Sequence, residues 1–252
     1  VLPALTEPAF FLTGTLAVAL LGLSKGGFAG VGAVATPLLA LIVGPVAAAA
    51  IILPLLMVQD VVGVWAFRRD WDRATVALML PAAAVGIALA GLFAARLDER
   101  AMQGALGAIS VVFAVRSLWL RRGGRVPAPR HPPRWYGALM GLASGITSQI
   151  AHAGQPPFQL YVLPRRLPRD TLVGTTAIFF AAVNWLKVPA YLALGQLTRA
   201  NLIASAALLP VAIASTLAGV WLARRVDAER FYTLVYILML LVGAKLVTDG
   251  VG

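Results

Sequence analysis

Residues 22–44 read GLSKGGFAGVGAVATPLLALIVG, one lysine and six glycines inside an otherwise apolar run. In a soluble protein Lys25 would mark a turn or a phosphate-binding loop. Walker-type phosphate binding is excluded by spacing, because G-x-x-x-x-G-K-[ST] is absent. The surroundings are apolar from Pro8 to Val43. As one helix at ~1.5 Å per residue this run would be ~54 Å long, far beyond a ~30 Å hydrocarbon core. Each interior glycine costs a helix ~1 kcal/mol. The run is therefore expected to break at SKGGFAG into two shorter helices, as a hairpin or a re-entrant pair.

The rest of the chain agrees that the solvent is lipid. It has 252 residues, 60% hydrophobic and only 12% charged, where an ordinary globular domain carries about 25% charged residues. Seven further apolar regions follow, at 45–67, 75–95, 102–120, 135–163, 171–194, 202–223 and 231–247. The reading is an all-α polytopic membrane protein. The net charge of +11 sits in loops between apolar runs, which fits the positive-inside rule rather than nucleic-acid binding. The chain has no cysteine, so disulfides and thiolate metal or redox chemistry are excluded. Residues 1–9 lack a basic n-region, and no cleavable signal peptide is expected.

A second break, TSQIAHAGQPP, interrupts region 135–163. Glycine and proline end helices there as they do near Lys25. GLSKGGFAGVGAVATP from Gly22 aligns with GLASGITSQIAHAGQP from Gly141. Further on, LPAAAVGIALAGLFAARLDER aligns with LPVAIASTLAGVWLARRVDAER. The expected architecture is two repeats, residues 1–120 and 135–252, joined by a basic cytoplasmic linker, 121–134. That linker, RRGGRVPAPRHPPR, holds five arginines, four prolines and no acid. Arginines at 68–73, 121–134, 165–170 and 224–230 all fall on one side if each break makes a hairpin that returns to its own face. Each half then holds a broken-helix hairpin plus three transmembrane helices, and the halves are inverted. Many secondary transporters have this architecture, with substrate bound near the midplane at the breaks.

The paired breaks G-x-x-x-G-G…P and G-x-x-S-G…Q-P, followed by GTTAIFFAAVNWLKVPAYLALGQ, resemble the sulfite exporter TauE/SafE family of bacterial membrane proteins. The resemblance spans nearly the whole chain and is strongest at Gly174-Thr175-Thr176, with Asn184 and Lys187 downstream. The first half departs from it, with LPLLMVQDVVGVW where a second Gly-Thr would fall. What the resemblance implies is export of sulfite or an organosulfonate across the bacterial inner membrane, with no cofactor. The alternatives are an anion channel and a non-transporting membrane scaffold. Neither H-E-x-x-H nor G-x-S-x-G occurs, so no enzyme is expected. The expected partners are a small anion, the lipid bilayer and a proton or other coupling ion.

The expected substrate-binding residues cluster at the breaks. Lys25 would draw an anion, with Gly26 and Gly27 letting backbone amides approach it. Lys187, one turn beyond Asn184, would share its cavity and act as the second half's counterpart to Lys25. Around the second break, Ser148, Gln149, His152, Gly154 and Gln155 offer donors and close approach, and the resemblance adds Thr175 and Thr176. Each polar residue is equally at home packing helices together. Asp60 is the sole acid of its span, costly there unless paired or hydrated. It is expected as an ion-pair partner of Lys25 or Lys187, or as a proton carrier. His152 shares the coupling role, because histidine titrates near neutrality.

Overall fold

The computed structural model describes residues 7–26, 31–94, 96, 98–122, 131–222 and 229–251. Gly27, the centre of the basic linker and most of the 224–230 loop lie outside the described residues. Those residues form ten α-helices and no strand. They are α1 Pro8–Gly26, α2 Ala35–Val43, α3 Pro45–Phe67, α4 Arg73–Ala94 and α5 Glu99–Arg122. In the second half follow α6 Arg134–Ala151, α7 Gln155–Val162, α8 Arg169–Ala193, α9 Arg199–Leu222 and α10 Glu229–Val251. Among the described residues, six helices (α1, α3, α4, α5, α8 and α9) are long and apolar enough to cross a membrane. The chain is an all-helical, multi-pass membrane protein.

The breaks fall where glycine and proline put them, with one correction to the expected shape. Only the second arm of each hairpin is short. α2 has 9 residues and α7 has 8, roughly 12–14 Å each and under half the hydrocarbon core. α1 and α6 have 19 and 18 residues. α7 opens on Gln155-Pro156-Pro157, where proline's missing N–H is harmless because first-turn donors have no partner in the helix.

Lipid gives helices no hydrophobic reason to associate, so close backbone contact through small residues does that work. Along α1, Gly14 faces Leu208, Gly22 faces Ser215 and Gly26 faces Gly219. Both numbers rise together, so α1 and α9 run parallel. Gly141 faces Met79 and Gly145 faces Ala83, which makes α6 and α4 parallel too. The glycine stripe at 137, 141 and 145 is thus a helix contact. By contrast, Gly107 meets Val247 and Gly104 meets Gly250, so α5 and α10 are antiparallel. α3 and α8 are also antiparallel: Asp60 meets Asn184, while Ala50 and Leu53 cluster with Tyr191.

One end of the bundle therefore collects the 68–72 loop, the start of α6, the end of α7 and the start of α8. Trp65, Trp119, Trp135 and Trp221 are all exposed near that end, each within two turns of an arginine loop. Tryptophan favours the membrane–water interface. The guanidinium of Arg68 lies 5.5 Å from the Trp65 ring centre.

Candidate functional site

A cavity of about 250 Å³ runs between the two breaks. At the arginine-loop end it is lined by Phe67, Leu163, Leu172 and Val173, and Leu163 is half exposed there. Deeper come Thr176, Phe180, Lys25 and Asn184, and then Ser148, His152 and Gln155. From Leu172 to Asn184 is about twelve residues of α8, roughly 18 Å. Beyond the deep end, Ala49, Ala50, Leu53 and Tyr191 form an apolar cluster with Met57, Val188 and Leu197.

The deep end holds two polar groupings. In the first, Lys25 Nζ donates to Asp60 Oδ1 in an ion pair, and Asn184 Nδ2 donates to Asp60 Oδ2 at 2.5 Å. Both carboxylate oxygens are thus engaged, which lets Asp60 stay 3% exposed without an unpaired buried charge. Phe180 closes one side, its ring centre 6.0 Å from Lys25 Nζ.

The second grouping is built on the break itself. His152 N–H donates to Ser148 O at 3.1 Å and Ala153 N–H to Thr147 O at 3.2 Å. The first is the single bond of the αL helix end, with His152 in the left-handed position usually held by glycine. His152 has φ 51°, a conformation that costs a non-glycine residue about 1–2 kcal/mol. Its ring is held from both sides. Nε2 lies 2.9 Å from Ala49 O, and Nδ1 lies 2.6 Å from Lys187 Nζ. Lys187 is fully buried and also donates to Ser148 Oγ at 3.3 Å and Ser148 O at 3.4 Å. Ser144 Oγ donates to Gly154 O at 2.7 Å, a second partner for a carbonyl that also accepts from Phe158 N–H.

Several expected positions stand elsewhere. Lys187 is not on the cavity wall with Asn184; it sits one layer back, behind His152 and Ser148. A three-residue step turns about 60° short of a full helical turn, enough to aim Lys187 into the α6–α7 break. Asp60 pairs with Lys25 and not with Lys187. Gly26 packs on the α9 backbone at Gly219, away from the cavity. A Cβ on Gly154 would meet Ser144 O at 2.7 Å, so this glycine serves the break's packing. Gln149 is buried with its Oε1 lacking a hydrogen-bond partner, and it lies outside the cavity lining. Thr176 lines the cavity and donates to Leu172 O at 2.7 Å.

Thr175 holds the mouth rather than lining it. Its Oγ1 accepts from Asp72 N–H at 2.8 Å and donates to Thr171 O at 2.5 Å. A Cβ on Gly174 would meet the carbonyls of Asp70 and Phe67. Gly174-Thr175 is thus the seat of the 68–72 loop: glycine for close approach, threonine for the loop amide. Across this mouth Arg165 pairs with Asp72 Oδ2 at 2.7 Å and donates to Thr75 Oγ1. Burial would raise the Asp72 carboxyl. The Thr75 hydroxyl, the Arg165 charge and the amides of Thr75 and Ala74 outweigh it and hold Asp72 below the usual carboxylate value.

Sequence reasoning passed over Ser24, Gln159 and Phe180, all on the cavity wall. Gln159 had a signal, since it lies one turn after Gln155 on the same face of α7.

A family model described as Sulfite exporter TauE/SafE matches residues 14–246. Neither a curated protein nor a solved structure matches the chain.

Proposed function

The chain belongs to the sulfite exporter TauE/SafE family, and from that premise we propose that it exports a small anion, sulfite or an organosulfonate, from the bacterial cytoplasm by alternating access. It acts in this reading as a carrier, not an enzyme. The observation that carries the reading is the shape and charge of the cavity. Its lining reaches the half-exposed Leu163 at the arginine-loop end, which the positive-inside rule makes cytoplasmic, and we take that end as its opening and the apolar cluster beyond His152 as its closed side. A path open at one end and closed at the other is what one state of a carrier requires. Its volume of about 250 Å³ falls below the ~300–1,000 Å³ of pockets for drug-sized ligands, a fit for a small oxyanion. Lys25, Asn184 and Ser148 bring donors to that space, and the His152 ring lines it.

Helix pairing supports inversion of the halves. An axis in the membrane plane exchanges α1 with α6, α4 with α9 and α3 with α8. It turns the parallel pair α1–α9 into the parallel pair α6–α4, and it requires α3–α8 and α5–α10 to be antiparallel. Rocking of one half against the other around the deep site would then open the far side.

The test is a thermal-shift and binding screen of purified protein against sulfite, sulfoacetate, taurine, sulfolactate, sulfate and thiosulfate, followed by flux into proteoliposomes. A ligand that binds only folded protein raises apparent stability. Saturable flux of a ligand that stabilises the protein is the expected result. Flux without saturation would indicate a channel, and the absence of any stabilising anion would remove the reading.

A further inference from the structure

Among the described residues, the charged or titratable groups around the deep end are Lys25 on α1, Asp60 on α3, His152 at the α6–α7 break, and Lys187 and Tyr191 on α8. The Tyr191 ring lies 6.2 Å from that of His152, and its hydroxyl donates to Gln149 O at 3.2 Å. Tyr191 is thus a neutral neighbour. Lys25 and Asp60 cancel each other. What remains is Lys187 with His152, whose nitrogens lie 2.6 Å apart.

Hydrogen-bond logic fixes the imidazole proton, and the three acceptors around Lys187 suit an ammonium. The Ala49 carbonyl can only accept, so Nε2 of His152 carries a hydrogen. Nδ1 is then the acceptor for Lys187, whose ammonium has three hydrogens and three acceptors: Nδ1, Ser148 Oγ and Ser148 O. In this state the pair holds one positive charge. Nδ1 is also the basic atom of the pair able to take a further proton. A buried charge is costly unless its environment compensates it, so the total charge of the loaded cavity decides which anions enter.

We propose that Lys187 and His152 form a charge-matching pair, which takes a monoanion such as a sulfonate without a proton change and takes up one further proton, on Nδ1, with a dianion. The proton comes from solvent, and the Lys187–Nδ1 hydrogen bond breaks, which leaves one positive charge on the imidazole at the cavity wall and a second on Lys187 one layer behind it. The inference rests on the reading of the cavity as an anion site and adds which charge states enter and what accompanies them.

The test uses the whole protein in detergent and two probes of fixed charge, ethanesulfonate and sulfate. Calorimetric titration in buffers of different ionisation enthalpy counts protons taken up per bound anion. The pair gives about none for ethanesulfonate and about one for sulfate, so sulfate affinity tightens about tenfold per unit fall in pH. In His152→Gln the pH dependence of sulfate affinity disappears. Equal proton counts for the two anions, or no sulfate binding at any pH where ethanesulfonate binds, overturn the charge-matching pair while leaving an anion site. If neither anion binds, the anion site falls with it.

Discussion

The two breaks are alike in architecture and unlike in net charge. The first half brings Lys25 to the cavity and neutralises it at once with Asp60 of the next helix. The second half puts a histidine at its break and places Lys187 behind it with only neutral acceptors. Under the proposed repeat, two similar scaffolds differ in which of them carries net charge. The positive charge most visible in the sequence, Lys25 amid glycines, is the one the fold cancels.

That contrast can be broken most severely at Asp60. Asp60→Ala leaves Lys25 without a partner beside the buried Lys187. Removing one member of a buried pair costs about 3–5 kcal/mol, and the lower end applies here because Lys25 keeps 19% side-chain exposure. Thermal unfolding should show that loss, while the double change Lys25→Met with Asp60→Leu should recover most of it. If the double variant is no more stable than Asp60→Ala, the two side chains are not a balanced pair.

A smaller effect is expected at the mouth, where the halves also differ. Gly174 seats the 68–72 loop, whereas the first half has LPLLMVQDVVGVW where a second Gly-Thr would fall, its Leu53 and Met57 in the apolar cluster. Gly174→Val pushes a side chain into the carbonyls of Asp70 and Phe67. Overpacking of this kind costs about 1–3 kcal/mol. Labelling of a single cysteine placed in the 68–72 loop should become faster in that variant. An unchanged rate would mean the loop is held elsewhere.

The smallest effect is the pH response of the Arg165–Asp72 pair. Its folded-state pKa is depressed, so its contribution is complete above the unfolded value of about 4 and is lost as pH falls through the folded value. The stability difference between the parent and Asp72→Asn, about 1 kcal/mol or less for a partly exposed pair, should be present at neutral pH, begin to shrink near pH 4 and vanish once the pH is below the folded value. A difference that persists in strong acid would place the effect in packing.

Much of the fold was legible because lipid constrains it so tightly. The apolar region 45–67 coincides with α3, and the two breaks fall at the glycine- and proline-bearing stretches. Composition alone sets both. The site was legible as a neighbourhood and not as a circuit. Lys25, Asn184, Ser148, His152, Gln155 and Thr176 do share one cavity. The pairing of Lys25 with a carboxylate 35 residues away is a tertiary fact that spacing does not contain. Gly26 and Thr175 look like ligand-binding residues because close backbone approach and a free hydroxyl also serve helix and loop packing. Which use is made of them depends on what lies opposite, here α9 for Gly26 and the Asp72 amide for Thr175.

The central claim is that the working charge of the cavity belongs to Lys187 and not to Lys25. Affinity for ethanesulfonate, measured in detergent beside a thermal-unfolding control, tests it most directly in two variants. Lys187→Gln removes the uncompensated charge and should lose about 1.5–3 kcal/mol, roughly ten- to hundredfold in affinity. Lys25→Gln with Asp60→Asn removes a pair that already sums to zero, and should lose less than about threefold. The reverse order, with the double variant crippled and Lys187→Gln binding like the parent, would contradict the account.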